Sequence, residues 1–462
     1  MFEKIKSVFI LGIKGVAMAN LSVILKKIGK NITGTDLEEK FITDGLLKKH
    51  NISYSIGFKP EVLPEGTDLV IYSAAHGGIN NPIAIESKKR NIPIISQTEV
   101  LASIMKEFKT SVAVSGCHGK TTTSSHLSYS LIQLGVKPSY LVGAPSFNEY
   151  EGGDYKDKDC FIIEADEYGV NPPTDLRPKF HFLSPDYTIC TNIDFDHPDI
   201  YKNLEDTKKA FLIFFDKKKL ILCADDSNLM SVAKNIPREQ YQTYGFAKDA
   251  DRVITEMKTG ESGMVFRLNG NEYAISLFGE KNVSNAAAVI VTLLTLGFPA
   301  DKIRCAIKDF TGAKRRFEKV FENENFSLYD DYGHHPHEIE ATISAARTHF
   351  PSRRIIMVFQ PHTYSRTQML LNEFAQALSL ADYSCILPIF PSAREDKSKF
   401  NVTSEDIIKT GMAKNSEAAN GAKELISKLK VNLKKNDVLF TMGAGDVYKL
   451  KDDIVKLLIS KS

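Results

Sequence analysis

The stretch that decides the fold is residues 111–123, which read SVAVSGCHGKTTT. Its first four residues are β-branched or small and predict a buried strand. Gly116 and Gly119 then predict a tight turn, and Lys120 with the three threonines after it begins a helix. Glycines let the backbone wrap phosphate oxygens, and a helix N-terminus directs free N–H groups toward them. The stretch therefore predicts a nucleotide-phosphate loop.

The phosphate-loop pattern is incomplete in one respect. The general pattern is Gly-x-x-x-x-Gly-Lys-Ser/Thr, and Val114 stands where its first glycine belongs. The shorter segment from Gly116 still offers Lys120 as a point charge for the β- and γ-phosphates and the Thr121 hydroxyl for Mg²⁺. An ordinary glycine-rich turn is the alternative, and it leaves the lysine followed by three threonines unexplained.

Two further polar loops follow strand-like runs farther along the chain. Residues 164–167, Glu-Ala-Asp-Glu, follow the apolar run 160–163, and residues 191–199 follow the run 187–190. Acidic residues at the carboxyl ends of parallel strands lie where ligands bind, and carboxylates are hard ligands suited to Mg²⁺. His197 could supply a nitrogen to a second ion. Three such loops together predict a metal-assisted nucleotide site.

Composition and charge limit the class of protein. The 462 residues include 59 Lys and Arg against 57 Asp and Glu, a net charge of +2, which argues against a nucleic-acid or membrane-surface binder. Six scattered cysteines without a Cys-x-x-Cys pair predict reduced thiols in a cytoplasmic protein. The absence of a long apolar run predicts a soluble chain. A monomer and a homodimer both stay open.

Short apolar runs alternate with helical patterns almost throughout, which is typical of α/β domains with parallel sheets. We predict three domains, at 1–107, 108–313 and 314–462. Residues 241–276 alternate more and predict a small antiparallel addition. Helices are predicted at 284–296 and 368–380.

The N-terminal segment carries a degenerate dinucleotide fingerprint. Gly12, Gly15 and Ala17 follow a strand and begin a helix, and Asp36 ends the next strand. An NAD-dependent oxidoreductase is therefore one hypothesis. A UDP-sugar also carries a diphosphate and a ribose, so the same turn and acid could serve a sugar nucleotide. A non-catalytic nucleotide-binding scaffold is a third hypothesis, which Lys120 and the acidic loops disfavour.

The motifs resemble those of the ATP-dependent Mur ligases of peptidoglycan assembly, and the resemblance covers nearly the whole chain. Two positions depart from the family pattern: Cys117 replaces a threonine, and Lys281 stands where histidine is usual. The matching segments are 116–123, 164–167, 192–197, 279–286, 310–318 and 330–336.

The resemblance implies a fold, cofactors and site residues. The fold is α/β with a Rossmann-like N-terminal UDP-sugar domain, a central P-loop ATP-binding domain and a Rossmann-like C-terminal domain. The cofactors are ATP and Mg²⁺. The implied catalytic residues are Lys120, Glu164 and His197, and the implied metal ligands are Thr121, Glu164 and His197. The implied ATP-binding residues are Gly116, Cys117, His118, Gly119, Lys120, Thr121, Thr122, Asn282, Asn285, Arg316 and Asp331. The implied UDP-sugar contacts are Gly12, Gly15, Asp36 and Ser73.

The reaction implied is the joining of UDP-N-acetylmuramate to an amine through an acyl phosphate. The strings 359–367, 392–395 and 441–448 favour L-alanine as that amine, with His335 and Arg366 as its contacts. A guanidinium forks onto the carboxylate of a free amino acid. The stretch 168–185, which includes Arg177, resembles instead the relatives that attach a whole tripeptide, so a muropeptide tripeptide stays open as the alternative.

Three points stay open at this stage. The general base is not identified by any pattern, and Lys208 or Lys209 could be carbamylated, as some family members are. The cluster His334-His335-Pro336-His337 invites a zinc interpretation. Pro336 disfavours helical i,i+4 ligation there, so a loop that contacts nucleotide or substrate is the preferred interpretation.

Overall fold

The computed structural model describes residues 4–216, 218–260, 262–391, 395 and 397–461. The chain divides into two compact units. The first holds the residues up to Lys258 together with Val265–Ser276 and Ser284–Ala313, and the second holds Thr259–Met264, Leu277–Val283 and the residues from Lys314 onward. The predicted boundary at residue 107 falls inside the first unit, so the three domain ranges stay a prediction.

The N-terminal segment is a five-stranded, wholly parallel sheet with strand order β3-β2-β1-β4-β5. Strand β4 is buried along its whole length, as its apolar run predicts. Helix α4 begins with a capping box between Ser96 and Glu99. The elements are β1 (Ser7–Leu11), α1 (Val16–Lys27), β2 (Asn31–Asp36), α2 (Asp44–Lys49), β3 (Ser53–Ile56), β4 (Leu69–Tyr72), α3 (Pro82–Lys89), β5 (Ile94–Ser96) and α4 (Gln97–Met105).

The next segment forms a ten-stranded sheet and a separate two-stranded hairpin, β10–β11. Its elements up to the middle of the sheet are β6 (Thr110–Ser115), α5 (Lys120–Gln133), β7 (Ser139–Phe147), β8 (Tyr150–Asp154), β9 (Cys160–Glu164), β10 (Gly169–Asn171), β11 (Asp175–Pro178), β12 (Tyr187–Cys190) and α6 (Leu204–Phe215). The remaining elements are β13 (Lys219–Cys223), α7 (Ser227–Ala233), β14 (Tyr241–Gly245), β15 (Arg252–Gly260), β16 (Gly263–Leu268), β17 (Asn271–Ile275), α8 (Glu280–Thr295) and α9 (Ala300–Ile307).

The order of this sheet is β17-β16-β15-β14-β13-β12-β6-β9-β7-β8. The pairs β12–β6 and β6–β9 are parallel, so the loops after β6, β9 and β12 meet at one edge. The prediction of a small antiparallel addition at 241–276 is wrong for its first two strands. Strand β14 pairs in parallel with β13, and β15 pairs in parallel with β14, so both extend the main sheet.

Helix α1 joins the N-terminal segment to this sheet within the first unit. The side chain of Asn20 is fully buried and donates to the carbonyl oxygens of Val142 (3.1 Å) and Ala144 (3.0 Å) on β7. A Cβ at Gly152 or Gly153 would collide with its neighbours there. These contacts explain why both segments belong to one compact unit.

The second unit is a six-stranded sheet with order β18-β19-β23-β20-β21-β22, parallel except for β18. Apolar clusters cover both of its faces. The helix predicted at 368–380 is in fact two helices that meet at Leu370, where φ is −107°. The elements are β18 (Glu318–Glu322), β19 (Phe326–Asp331), α10 (Pro336–His349), β20 (Ile355–Phe359), α11 (Tyr364–Met369), α12 (Leu371–Leu378), β21 (Tyr383–Ile386), α13 (Ser404–Lys409), β22 (Ser416–Ala418), α14 (Ala422–Asn432), β23 (Asp437–Met442) and α15 (Lys451–Ser460).

Two global expectations can be compared with the fold. All six cysteines, each within the described residues, are free thiols. Among the described residues no helix has both the length and the apolar character to span a membrane.

Candidate functional site

The phosphate loop lies between β6 and α5 and depends on its two glycines. Gly116 has a φ of +121° and Gly119 a φ of +85°, both in the left-handed region that glycine adopts without strain. There is also no space for a side chain, since a Cβ at Gly116 would meet Thr191 and one at Gly119 would meet Asn285. The loop therefore packs closely against Thr191 and Asn285, and both positions require glycine.

The loop after β12 is hydrogen-bonded to the phosphate loop. The Oδ1 atom of the Asn192 side chain accepts from the His118 backbone N–H (3.0 Å), and the Nδ2 atom donates to the His118 carbonyl oxygen (2.8 Å). The Cys117 thiol donates to the Asp194 carbonyl (3.2 Å) and accepts from the Asp194 N–H (3.1 Å). Burial raises the pKa of this thiol, so Cys117 fills the loop as a neutral group. The sequence did not single out Asn192.

Lys120, the first residue of α5, curls back over the loop. Its ammonium donates to the carbonyl oxygens of Gly116 (2.6 Å) and Cys117 (3.2 Å) and pairs with Glu167 at 2.8 Å. Burial disfavours the ammonium, but the Glu167 carboxylate and its acidic neighbours outweigh burial and raise the pKa of Lys120. A fixed positive charge therefore lies at the mouth of the loop.

Thr121 and Glu164 lie side by side next to this lysine. The Thr121 hydroxyl is 3.1 Å from both carboxylate oxygens of Glu164, and the Gly143 N–H donates to the same carboxylate at 2.7 Å. Glycine is needed at 143, since a Cβ there would strike both side chains. A hydroxyl and a carboxylate are hard oxygen donors, so the pair fits Mg²⁺ beside the phosphates.

His197 lies in a second acidic group, with Asp166 and Glu167. One ligand atom of each of these three residues lies within 4.8 Å of the other two. The imidazole Nε2 is 3.4 Å from Glu167, and His197 adopts a φ of +62°, which is uncommon for a residue other than glycine. Such local strain is found where a side chain must be aimed at a ligand. The sequence predicted His197 as a nitrogen ligand of a second ion, and the structure places it with Asp166 and Glu167.

Asp166, which is only partly buried, is held in its ionised form by neighbouring lysines. Burial disfavours its charge, but the Lys179 ammonium at 2.7 Å and the nearby Lys120 lower its pKa well below the usual range. Two carboxylates and an imidazole form a donor set that fits a second divalent cation. Lys208 and Lys209 on α6 pair with acidic residues of their own helix, Glu205 and Asp206.

Asp36 stabilises the N-terminal turn. This carboxylate is 1% exposed, and its oxygens accept from the backbone N–H groups of Lys14 (2.7 Å) and Leu37 (2.8 Å). Its contact with the ribose of a nucleotide stays a prediction. Gly12 has a φ of +70°, as a tight turn requires, and Gly15 precedes α1.

Ser73 and a histidine lie beside this turn. The Ser73 hydroxyl accepts from the Ala75 N–H at 3.4 Å. The ring of His76, which the sequence did not suggest, stacks on Phe58 at 4.5 Å and lies against Gly12, where a Cβ would be 3.2 Å from it.

The two asparagines proposed for adenine are three residues apart on α8. Asn285 lies against Gly119 of the phosphate loop, while the amide of Asn282 donates to the Phe278 carbonyl at 2.8 Å. Lys281, where the family has histidine, is exposed. Helix α8 begins at Glu280, four residues earlier than predicted.

In the second unit, the basic pair 315–316 is split between two roles. Arg315 is buried, pairs with Asp330 at 3.2 Å and donates to the Gly443 carbonyl at 2.6 Å, so it ties the entry of this unit to the loop after β23. Arg316 is partly exposed and lies 3.8 Å from Glu338. Burial raises the pKa of Asp331 to about 6, although nearby Arg316 lowers it. The resemblance implied ATP binding for Arg316 alone and gave Arg315 no role.

The histidine cluster forms a helix start, which explains its proline. His335 caps α10, Pro336 is its first residue, and Glu338 accepts from the N–H groups of His334 (2.8 Å) and His335 (3.1 Å). Arg366 on α11 is 3% exposed and donates to the His362 carbonyl at 3.4 Å. His335 and Arg366 are thus both anchored by their own unit. Of the motif 392–395, residues 392–394 lie outside the described residues.

Fold and site together define an α/β protein with a glycine-rich loop between a strand and a helix and, beside it, two groups of side chains with oxygen and nitrogen donor atoms. Comparison with known families matches three segments of the chain to domains of one family. Residues 7–109 match the catalytic domain of the Mur ligase family, 114–293 the Mur ligase middle domain, and 315–445 the glutamate ligase domain of Mur ligases. The chain belongs to the Mur ligase family.

Several curated relatives are similar along their whole length. The UDP-N-acetylmuramate–L-alanine ligase of Lactobacillus acidophilus is 37% identical over 99% of this chain and 100% of its own. The enzyme of the same name from Desulfitobacterium hafniense is 35% identical over 96% of this chain and 98% of its own.

Solved structures share the fold. The UDP-N-acetylmuramate-alanine ligase of Thermotoga maritima superposes with a TM-score of 0.81 at 24% identity, covering 99% of this chain and 100% of that one. A murein peptide ligase from Psychrobacter arcticus superposes with a TM-score of 0.75 at 22% identity, covering 98% of each chain.

Proposed function

We propose that this chain is an ATP-dependent ligase that joins UDP-N-acetylmuramate to L-alanine during cytoplasmic synthesis of peptidoglycan precursors. One observation carries the proposal. A lysine on a phosphate loop, with a threonine–glutamate pair beside it, lies in a chain that is 35–37% identical, end to end, to relatives named for this reaction. The division into domains 1–107, 108–313 and 314–462 is part of the proposal.

The chemistry follows from the poor reactivity of a carboxylate toward an amine. The muramoyl carboxylate attacks the γ-phosphorus of ATP, ADP leaves, and an acyl phosphate forms. The amine of alanine then attacks the acyl carbon, and inorganic phosphate departs. Lys120 neutralises charge on the transferred phosphoryl group, in a reaction whose catalysis is mostly positioning and electrostatics. Mg²⁺ would be held by Thr121 and Glu164 and would supply further positive charge there.

The substrate contacts stay as predicted, with one addition. Gly12, Gly15, Asp36 and Ser73 serve the UDP-sugar. ATP is bound by the loop 116–122 with Asn282, Asn285, Arg316 and Asp331. Arg366 and His335 serve the amino acid. Asp166 and Glu167 join His197 as the proposed ligands of a second cation.

The choice of alanine over a tripeptide rests on Arg366 and on the relatives named for alanine. In the hairpin β10–β11, the Arg177 guanidinium donates to Asp175 at 2.7 and 2.9 Å but is 68% exposed. The tripeptide therefore remains the second candidate for the amine, and the specificity series below includes it.

The test is a specificity series with ADP release as the readout. We expect kcat/KM to be highest for L-alanine among L-alanine, L-serine, glycine and L-Ala-γ-D-Glu-diaminopimelate, with UDP-N-acetylmuramate and ATP saturating. A higher value for the tripeptide would establish the alternative ligase. Turnover of NADH, with none of ATP, would contradict the whole proposal.

A further inference from the structure

Lys14, in the turn between β1 and α1, is a buried lysine that the reaction above does not use. Its side chain is 1% exposed. A buried ammonium is costly unless its three N–H donors find acceptors. Here they do: the ammonium donates to the carbonyl oxygens of Leu37 (2.9 Å) and Glu39 and lies 3.5 Å from the Asp44 carboxylate.

Aromatic rings complete the surroundings of this ammonium. It lies 4.9 Å from the centroid of the Phe41 ring and 5.3 Å from that of Tyr54. Both ring faces attract a cation. With the exception of Tyr54 on β3, every group that holds the ammonium belongs to residues 37–44, the segment between β2 and the first residue of α2.

The same segment is fastened to the turn at a second point. The Thr43 hydroxyl, fully buried, donates to the carbonyl oxygen of Lys14. Asp44 in turn accepts from the Phe41 N–H at 3.0 Å. The segment is therefore pinned across the carboxyl end of β2 by the side chain and the backbone of one residue.

The position of this lysine bears on ligand binding. In dinucleotide-binding folds the second glycine of the fingerprint lies two residues after the first, and the ribose lies at the end of the second strand. Lys14 stands two residues after Gly12, and its side chain runs to the end of β2. The Lys14 backbone N–H also donates to Asp36, so this residue contacts both the acid at the end of β2 and the segment after it.

We propose that Lys14 is a positioning residue for the sugar nucleotide: it pins the segment 37–44 so that this segment forms a wall of the nucleoside pocket. This inference rests on the proposed function, which assigns the turn to the UDP-sugar. Lys14 does not contact the reacting atoms. Its loss should therefore weaken binding of the sugar nucleotide and leave the ATP site and the chemical step unchanged.

The experiment compares Lys14→Met with the wild-type full chain under saturating co-substrates. We expect KM for UDP-N-acetylmuramate to rise about tenfold, since several side chains of the segment would have to be ordered on binding. We expect kcat and KM for ATP to stay within about twofold. A merely structural role would change all three parameters together. The matched control is Lys26→Met, because Lys26 also donates to a carbonyl, that of Asn51 at 2.9 Å, but from the far end of α1.

A milder variant protects the test against misfolding. Thr43→Val keeps the volume and removes only the hydroxyl bond to Lys14, and we expect the same pattern with a rise in KM of about threefold. If both variants bind UDP-N-acetylmuramate as wild type does, by calorimetry and by KM, the inference is wrong. If Lys14→Met does not fold, Thr43→Val decides. Failure of the wild-type chain to turn over UDP-N-acetylmuramate would instead overturn the proposed function.

Discussion

The first unit contains two strand–turn–helix segments that look alike in sequence and differ in what their lysines do. Both turns carry two glycines three residues apart, Gly12 with Gly15 and Gly116 with Gly119, and both carry a lysine. Lys120 curls back over its loop and pairs with Glu167, whereas Lys14 runs under its turn and is 1% exposed. Lys120 lies over its loop, beside the acidic residues of the candidate site. Lys14 instead bonds to the segment that follows β2.

The acids that follow the neighbouring strands differ in the same way. Glu164, at the end of β9, lies beside the Thr121 hydroxyl, so both can serve one cation. Asp36, at the end of β2, is buried and accepts hydrogen bonds from the backbone N–H groups of Lys14 and Leu37. The comparison teaches that a lysine or an acid beside a glycine-rich turn can contact a bound ligand only if its side chain stays accessible, and that a buried one stabilises the turn instead.

The largest effect should come from Lys120→Met. The variant removes the fixed charge that faces the transferred phosphoryl group, and we expect kcat to fall on the order of 10²-fold or more. ADP release at saturating substrates measures it, with circular dichroism to check folding. Lys109→Met, which removes an exposed ammonium paired with Asp159 just before β6, should be near wild type. Near-normal turnover by a folded Lys120→Met protein would remove the phosphate loop from the mechanism.

An intermediate effect is expected from Glu164→Gln. The amide keeps the shape of the carboxylate and can still accept from the Gly143 N–H, but it is a weaker ligand for a hard cation. We expect the Mg²⁺ concentration for half-maximal rate to rise on the order of tenfold. Glu149→Gln, in the exposed turn between β7 and β8, is the control. An unchanged Mg²⁺ titration would contradict the assignment of this carboxylate.

The smallest effect concerns the pH dependence of stability and arises in α5, the helix that follows the phosphate loop. Helix α5 buries His126, whose imidazole is 3.0 Å from the Ile307 carbonyl and stacks on Phe310 at 4.4 Å. Burial lowers its pKa to about 4, outweighing the bond to Ile307. The unfolded chain, with a pKa near 6.5, binds a proton between these pH values that the folded chain does not. The free energy of unfolding should therefore fall as pH drops below about 6.5, by up to about 1.4 kcal/mol per pH unit from this group.

Urea unfolding of wild type and His126→Gln at pH 7.5, 6 and 5 measures this contribution. The glutamine amide can still donate to the Ile307 carbonyl but has no proton to gain in this range. We expect the stability advantage of wild type to shrink as the pH is lowered. A constant difference between the two proteins at all three pH values would mean that His126 is not buried as described.

The sequence by itself determined local structure: the bounds of buried strands and the turn of the phosphate loop. The strands at 187–190 and 355–359 were predicted to the residue, because the buried strands of parallel sheets are mostly apolar and β-branched or aromatic. The phosphate loop followed from two glycines that no other residue could replace at those φ values. The family followed from motifs spread over the whole chain, and the comparisons confirm it.

Only the tertiary structure decided which side chains meet. The pairing of Lys120 with Glu167 joins residues 47 apart, and the grouping of His197 with Asp166 and Glu167 depends on β9 and β12 both flanking β6. The contact of the Lys14 ammonium with the Leu37 carbonyl depends on the conformation of the segment 37–44. The bond from the Lys14 N–H to Asp36 depends on the pairing of β1 with β2. The physical reason is that backbone conformation responds to neighbouring residues, whereas the exposure of a charge depends on acceptors brought from elsewhere in the chain.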